Sequence, residues 1–336
     1  MVRAAIVGLG RWGQSLVRSV QNKSDVIKFT AGYTRTRAKT EDFCAAQGVR
    51  LVDDYEALLR DRDIDAVVLA TPHSQHEEQI KQAAAAGKHV FVEKPITLSH
   101  ATALSAMRAT DAAGVLLAVG YCRRFHPSFT DMRARIKNGR LGRLVGMVAQ
   151  HTASANVFIA TDNWRVQSSE APAGAMTAVG LHALDLMIEY GGRVKDVQCN
   201  TAATLPGPAA DTTSVLLRFE SGISGMIFCA LATGTNFSFT AYGSNGLAEV
   251  VGTSLERLRL VPISTQAPSG PITAPPAEIV DYSGFDMLRA ELDEFARCIV
   301  DKRSYPVPMQ EVLHGMAVFD AAIESTATGQ IVPVRG

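Results

Sequence analysis

Three stretches of this sequence combine residue types and spacings able to do chemistry. In "GLGRWG", Gly8, Gly10 and Gly13 stand between a β-rich run and a helical one. Glycines in that context permit a tight turn and close backbone approach to a pyrophosphate, which a helix N-terminus attracts electrostatically. Arg11 and Trp12, between the glycines, are further candidate cofactor contacts. In "GAMTAVGLHALD" (174–185), helical spacing predicts that Ala178, His182 and Asp185 share one face. That face holds a base that titrates near neutrality and a carboxylate able to orient it. Taken alone, the same run reads equally well as a core helix with one satisfied histidine.

The third stretch sets cofactor preference. An NAD site usually carries an acidic residue about 20 positions after the glycine turn, bonding the ribose hydroxyls. Here the end of the second predicted strand reads Tyr33-Thr34-Arg35-Thr36-Arg37, with hydroxyls and two guanidiniums but no carboxylate. Arginine suits bidentate contact with a phosphate. The run therefore predicts NADP(H), with Thr34 and Arg35 ahead of Arg37 as contacts and NAD as the alternative cofactor. A solvated basic helix start is the competing explanation.

These residues need a frame. Apolar runs at 4–10, 26–34, 65–71, 89–95 and 115–121 alternate with helical patterns. Near-continuous apolar strands spaced by helices predict an α/β, doubly wound parallel sheet covered on both faces, over residues 1–122. After Tyr121 the segments lengthen and alternate, with hairpin breaks at Glu220–Gly222 and Gly243–Gly246. Residues 123–336 are thus expected to form an α+β domain with an open-faced, mostly antiparallel sheet. Residues 262–278 are Pro-rich and are expected to form a loop.

Bulk composition excludes several partners. Thirty-three basic residues balance thirty-three acidic ones, so no charge excess invites nucleic acid or an anionic membrane. No apolar run reaches about 18 residues, and "MVRAAIVGLG" lacks the apolar core and cleavage site of a signal peptide. Five scattered cysteines show no metal-ligand spacing, which predicts reduced thiols, no metal site and a cytoplasmic address.

The ordered set "GLGRWG", "ATPHSQHEEQI", "AGKHVFVEKPIT", "GYCRRFHPSF", "GAMTAVGLHALDLM" and "SYPVPMQEVLHGMAVFDAAIESTATGQIVPV" resembles the glucose–fructose oxidoreductase/inositol dehydrogenase (Gfo/Idh/MocA) family. The resemblance runs over nearly the whole chain, and Glu93-Lys94-Pro95 is its most specific element. It implies a Rossmann domain followed by an open-faced sheet through which a homodimer or homotetramer is built. It also implies NAD(P)-linked oxidation of a carbohydrate, inositol-like polyol or cyclic diol, with the family's lysine at Lys94 and its histidine at His182. Physical sense supports both. An ammonium at the carboxyl edge of the sheet can stabilise an alkoxide, and an imidazole can take a proton.

Other positions fall near the expected site. Thr71, Pro72, His76 and Glu93 lie near the expected cofactor path. Tyr121, Arg123, Arg124, Trp164 and Asp185 are candidate substrate contacts. For the arginines an interdomain salt bridge competes, and for Trp164 a buried aromatic does. One departure stands out. Many family members carry an aspartate four residues before the histidine, and that position is Ala178 here. Lys94 and His182 then suffice, or a carboxylate such as Asp162 or Glu170 substitutes, or the protein binds NADP(H) without turnover. NAD-dependent glycoside cleavage on the same fold is a further alternative function.

Overall fold

The computed structural model describes residues 1–160, 162–205, 209–266, 269–273 and 275–336. They form two compact units, one of residues 1–122 with 286–313 and one of residues 123–285 with 314–336.

The first unit begins β1 (Val2–Val7), α1 (Arg11–Val20), β2 (Ile27–Tyr33), α2 (Glu41–Gln47), β3 (Arg50–Leu51), α3 (Tyr55–Arg60) and β4 (Ala66–Leu69). It continues with α4 (His76–Ala85), β5 (His89–Glu93), α5 (His100–Ala113) and β6 (Leu117–Gly120). All pairings are parallel, in the order β3-β2-β1-β4-β5-β6. Every residue of β4 and β6 is buried, as strands covered on both faces must be. The strand order reverses between β1 and β4, which is where doubly wound sheets open a crevice at their carboxyl edge. Strand β3 escaped the sequence reading because two residues give no periodicity.

The second unit contains α6 (Pro127–Lys137), β7 (Leu144–Thr152), α7 (Ala155–Phe158), α8 (Leu181–Gly191) and β8 (Val194–Ala202). Strands β9 (Thr212–Phe219), β10 (Ser224–Ala230), β11 (Asn236–Gly243), β12 (Gly246–Val251) and β13 (Arg257–Pro262) follow. The 262–278 stretch is not wholly loop, since β14 (Thr265–Gln266) and β15 (Ile272–Thr273) pair as a short hairpin. Residues 267, 268 and 274 of that stretch lie outside the described residues. Next come β16 (Glu278–Asp281), α9 (Met287–Asp301), α10 (Met309–Thr328) and β17 (Val332–Pro333). The nine-stranded sheet has the order β16-β13-β12-β11-β7-β10-β9-β8-β17 and is antiparallel except for β7 with β10.

Helix α9 corrects the expected division of the chain, which had assigned everything after residue 122 to the second domain. It packs on α1 and on β1 and β2. Phe295 meets Phe91 of β5 edge to face at 5.6 Å, and Ser24 Oγ donates to Asp293 at 2.5 Å. A sequence reading assigns contiguous segments to domains and has no signal for such a return.

In the second unit every residue from Leu181 to Ile188 is buried, so α8 is a core helix. Its charged residue Asp185 sits in that core beside Arg124. Arg124 Nε and Nη2 donate to the two carboxylate oxygens at 2.8 and 2.6 Å, with both side chains about 4% exposed or less. Glu189 lies 3.7 Å from the same guanidinium and 2.7 Å from Arg133. Forked geometry satisfies both partners at once, and removing one strands a buried charge. Asp185→Leu is therefore expected to lower unfolding free energy by about 3–5 kcal/mol. Urea denaturation followed by circular dichroism checks this, and an unchanged midpoint would contradict it.

Candidate active site

The first unit presents its candidate residues at the carboxyl edge of the parallel sheet. Gly8 follows β1 with φ +92°, and a Cβ there would lie 2.6 Å from the Ala70 carbonyl oxygen. A Cβ on Gly13 would lie 2.0 Å from the Gly8 carbonyl oxygen. Both positions therefore exclude a side chain. Gly10 differs, since a Cβ there would meet nothing within 4 Å. It is the N-cap of α1 and supplies no side-chain cap, and the first turn carries no acidic residue. Uncapped N–H groups facing open space form an anion cradle, and that cradle fits a pyrophosphate. Trp12 adds a buried indole Nε1–H with no hydrogen-bond partner among the described residues. Arg11, beside it, is exposed.

Beyond β2, Thr34 is partly exposed and Arg35 exposed. Arg37 is engaged in ion pairs with Asp53 at 2.5 Å and Glu41 at 3.4 Å. No ion pair of Arg35 occurs among the described residues.

Lys94 follows β5 directly and is partly exposed, while Glu93 is buried. Glu93, an expected cofactor contact, is packed against the neighbouring strand. Its carboxylate lies over Gly120 on β6, 3.1 Å from where a Cβ would be. His76 also departs from expectation, because it is completely buried and bonds backbone. Its Nδ1 stands 2.9 Å from the Pro95 carbonyl oxygen and its Nε2 3.2 Å from that of Thr71. Carbonyls only accept and a neutral ring has one N–H, so His76 donates to one of the two and packs its other nitrogen against the second, joining the loop after β4 to the turn that carries Lys94. Thr71 Oγ1 in turn donates to Gln79 Oε1 at 2.6 Å. Pro72 lies between Thr71 and the 3₁₀ turn His73–Gln75, and Tyr121 is buried just after β6.

The second unit positions His182 by an irregular helix. Residues Met176–Gly180 form a π-helical turn, in which Leu181 N–H reaches the Met176 carbonyl five residues back. The expected common face of Ala178, His182 and Asp185 assumed uninterrupted α spacing, so that register is corrected. Thr213 of β9 anchors the approach, donating to the Ala173 carbonyl at 3.0 Å and accepting from Met176 N–H at 3.3 Å. His182 is buried.

Two expected substrate contacts are bonded to each other instead, since Arg124 and Asp185 form the core ion pair described above. Both lie inside the second unit. Arg123 donates to His151 Nδ1 at 2.9 Å and stacks on the Phe237 ring at 4.1 Å. Arginine has no lone pair, so His151 Nδ1 accepts and the ring carries its proton on Nε2. The same Nδ1 lies 3.4 Å from the Val179 carbonyl oxygen, beside Ala178, a close approach and not a hydrogen bond in that tautomer. The sequence gave no reason to single out His151, because one histidine in an alternating strand carries no spacing signal. Trp164 has one face covered by Arg165 at 4.3 Å, Asp162 is exposed, and Glu170 is buried.

The known proteins this chain resembles agree with that geometry. An inositol 2-dehydrogenase of Rhizobium meliloti is 28% identical over 340 residues, covering 97% of each chain. A D-xylose 1-dehydrogenase (NADP+) of Haloferax volcanii is 27% identical over 278 residues, covering 83% of each. Among solved structures, a Desulfitobacterium hafniense chain provisionally named an NADPH-dependent oxidoreductase superposes with TM-score 0.89 at 25% identity, covering 99% of this chain and 97% of that one. The family model for the oxidoreductase family with an NAD-binding Rossmann fold matches residues 2–121. The GFO/IDH/MocA C-terminal domain matches residues 129–249. With both halves matched in order and the glycine cradle in place, this chain belongs to the GFO/IDH/MocA family of oxidoreductases.

Proposed function

We propose that this protein is an NADP(H)-dependent dehydrogenase acting on a secondary alcohol, or the matching ketone, of a sugar, inositol-like polyol or cyclic diol. The observation that carries the reading is the presence, on one edge of one parallel sheet, of the open Gly10 cradle and Lys94. The names of the inositol and xylose dehydrogenases among its relatives support the substrate class. When bound, the nicotinamide ring accepts or gives hydride at its C4. The first-turn N–H groups of α1 hold the pyrophosphate, and Arg35 with Thr34 meets a 2′-phosphate. Lys94 donates a hydrogen bond to the alcohol oxygen and stabilises its developing negative charge. His182 takes the hydroxyl proton. Ala178 supplies no acceptor, so the reaction rests on these two groups.

The outward face of the nine-stranded sheet supports self-association as a homodimer or homotetramer. Across one row, Leu216 pairs with Met226 and Met226 with Val148, and Phe228 and Tyr242 extend the apolar area. Burying such a patch against a second copy is the economical outcome for a sheet otherwise alternating apolar-in and polar-out. A cytoplasmic address is part of the same reading. No described helix is long and apolar enough to cross a membrane, and the five cysteines are buried and outside any disulfide.

Three outcomes test the proposal. A panel of sugars, inositols, sugar acids and dihydrodiols assayed at 340 nm should yield turnover, with kcat/KM at least about tenfold higher for NADP+ than for NAD+. Arg35→Ala should erase that preference, since a charge-assisted contact is worth roughly 1.5–3 kcal/mol. Equal efficiency with both cofactors would refute it. Lys94→Met and His182→Ala should each lower kcat at least about a hundredfold, and wild-type rates in both would reject the catalytic assignment. Met226→Glu should convert the oligomer to a smaller species by light scattering; a wild-type mass in that variant, or a monomeric wild-type protein, would remove the sheet face as interface.

A further inference from the structure

Two buried acids meet where Lys94 leaves the sheet. Phe91 and Glu93 are two apart on β5 and therefore point to the same face. Glu291 and Phe295 are four apart on α9 and share its inner face. Because Phe91 packs on Phe295, the next step along that contact brings Glu93 to Glu291. The advance is similar on both elements, two strand residues against four helical ones. Gly120, paired with Glu93 on β6, leaves the room that the Glu93 carboxylate occupies.

Glu291 is completely buried, and no donor among the described residues reaches either of its oxygens. The charges that act on it do not neutralise a carboxylate. They come from Glu93 of β5 and Asp286 at the start of its own helix, and Tyr305, beyond α9, is in turn pushed up by its burial and by the Glu291 charge. Helix α1 meets α9 through the Ser24–Asp293 hydrogen bond. Burial first, then the Glu93 and Asp286 charges, push the Glu291 carboxyl well above its usual range. A neutral carboxylic acid has an O–H to donate.

We propose that Glu291 is a positioning residue: its carboxylic acid shares its proton with Glu93 and so fixes the strand end from which Lys94 departs. That Lys94 works on substrate rests on the function proposed above; the acid pair itself does not. No residue of the glycine cradle is involved, so the effect falls on the placement of Lys94.

Glu291→Gln keeps a donor of the same shape, and Glu291→Leu removes it. Infrared difference spectroscopy at pH 7 should show a protonated-carboxyl band in the wild type that disappears in Glu291→Gln. Amide exchange across residues 90–97 should accelerate at least tenfold in Glu291→Leu and stay within twofold in Glu291→Gln. With an active substrate in hand, kcat should fall at least tenfold in the leucine variant, with the KM for NADP+ within twofold and the glutamine variant near wild type. The sign of the pH effect follows from the raised folded value. Glu291 contributes stability that is full below its unfolded pKa and declines as pH rises toward the folded one. The wild-type Tm should therefore drop relative to that of Glu291→Gln between about pH 5 and 8. Absence of the band, or wild-type exchange in Glu291→Leu, overturns the inference whether or not a substrate is found. A normal band and altered exchange with no turnover would instead count against the proposed function alone.

Discussion

The backbone contact between Gly13 and the carbonyl of Gly8 is the constraint on which the cofactor half of the molecule depends. A side chain at either position would strike main-chain atoms that have nowhere to move. Their absence lets α1 start almost on top of β1, with its uncapped N–H groups directed at the space beside Gly10. Once that turn is closed, β1 lies at the centre of the parallel sheet between β2 and β4. The carboxyl edge then brings a helix N-terminus together with the strand-end residues of β2, β4 and β5.

Around that turn, much of the polar machinery acts on backbone. His76 sits between two carbonyls, joining the loop after β4 to the turn that carries Lys94. Glu93 turns away from solvent over Gly120. In the second unit Arg124 and Asp185 neutralise each other in the core, and Arg123 is stacked and bonded to His151. Residue types that suggest substrate contact in a list thus become the braces that hold fewer, more exposed groups. Low dielectric explains the division, since a buried charge persists only when paired or protonated.

The π-helical turn at Met176–Gly180 bears on the chemistry of Ala178. A widened turn shifts the angular register of everything before His182. A methyl group at Ala178 leaves room and removes an acceptor, while the His151 ring stands close by at the Val179 carbonyl.

Local patterns made the frame legible: apolar strand runs, a glycine turn between strand and helix, and Glu93-Lys94-Pro95 after a strand each reflect short-range rules. Sequence by itself also supplied the candidates for phosphate contact, because Thr34, Arg35 and the missing carboxylate are matters of residue type. It did not decide that α9 returns to the first sheet, where Phe295 meets Phe91, or that Asp185 belongs to Arg124. Those pairings join residues 61 and 204 positions apart, and no periodicity encodes them. They were settled only when packing chose which apolar faces to bury, because burial forced each charged group carried along to find a partner or keep a proton.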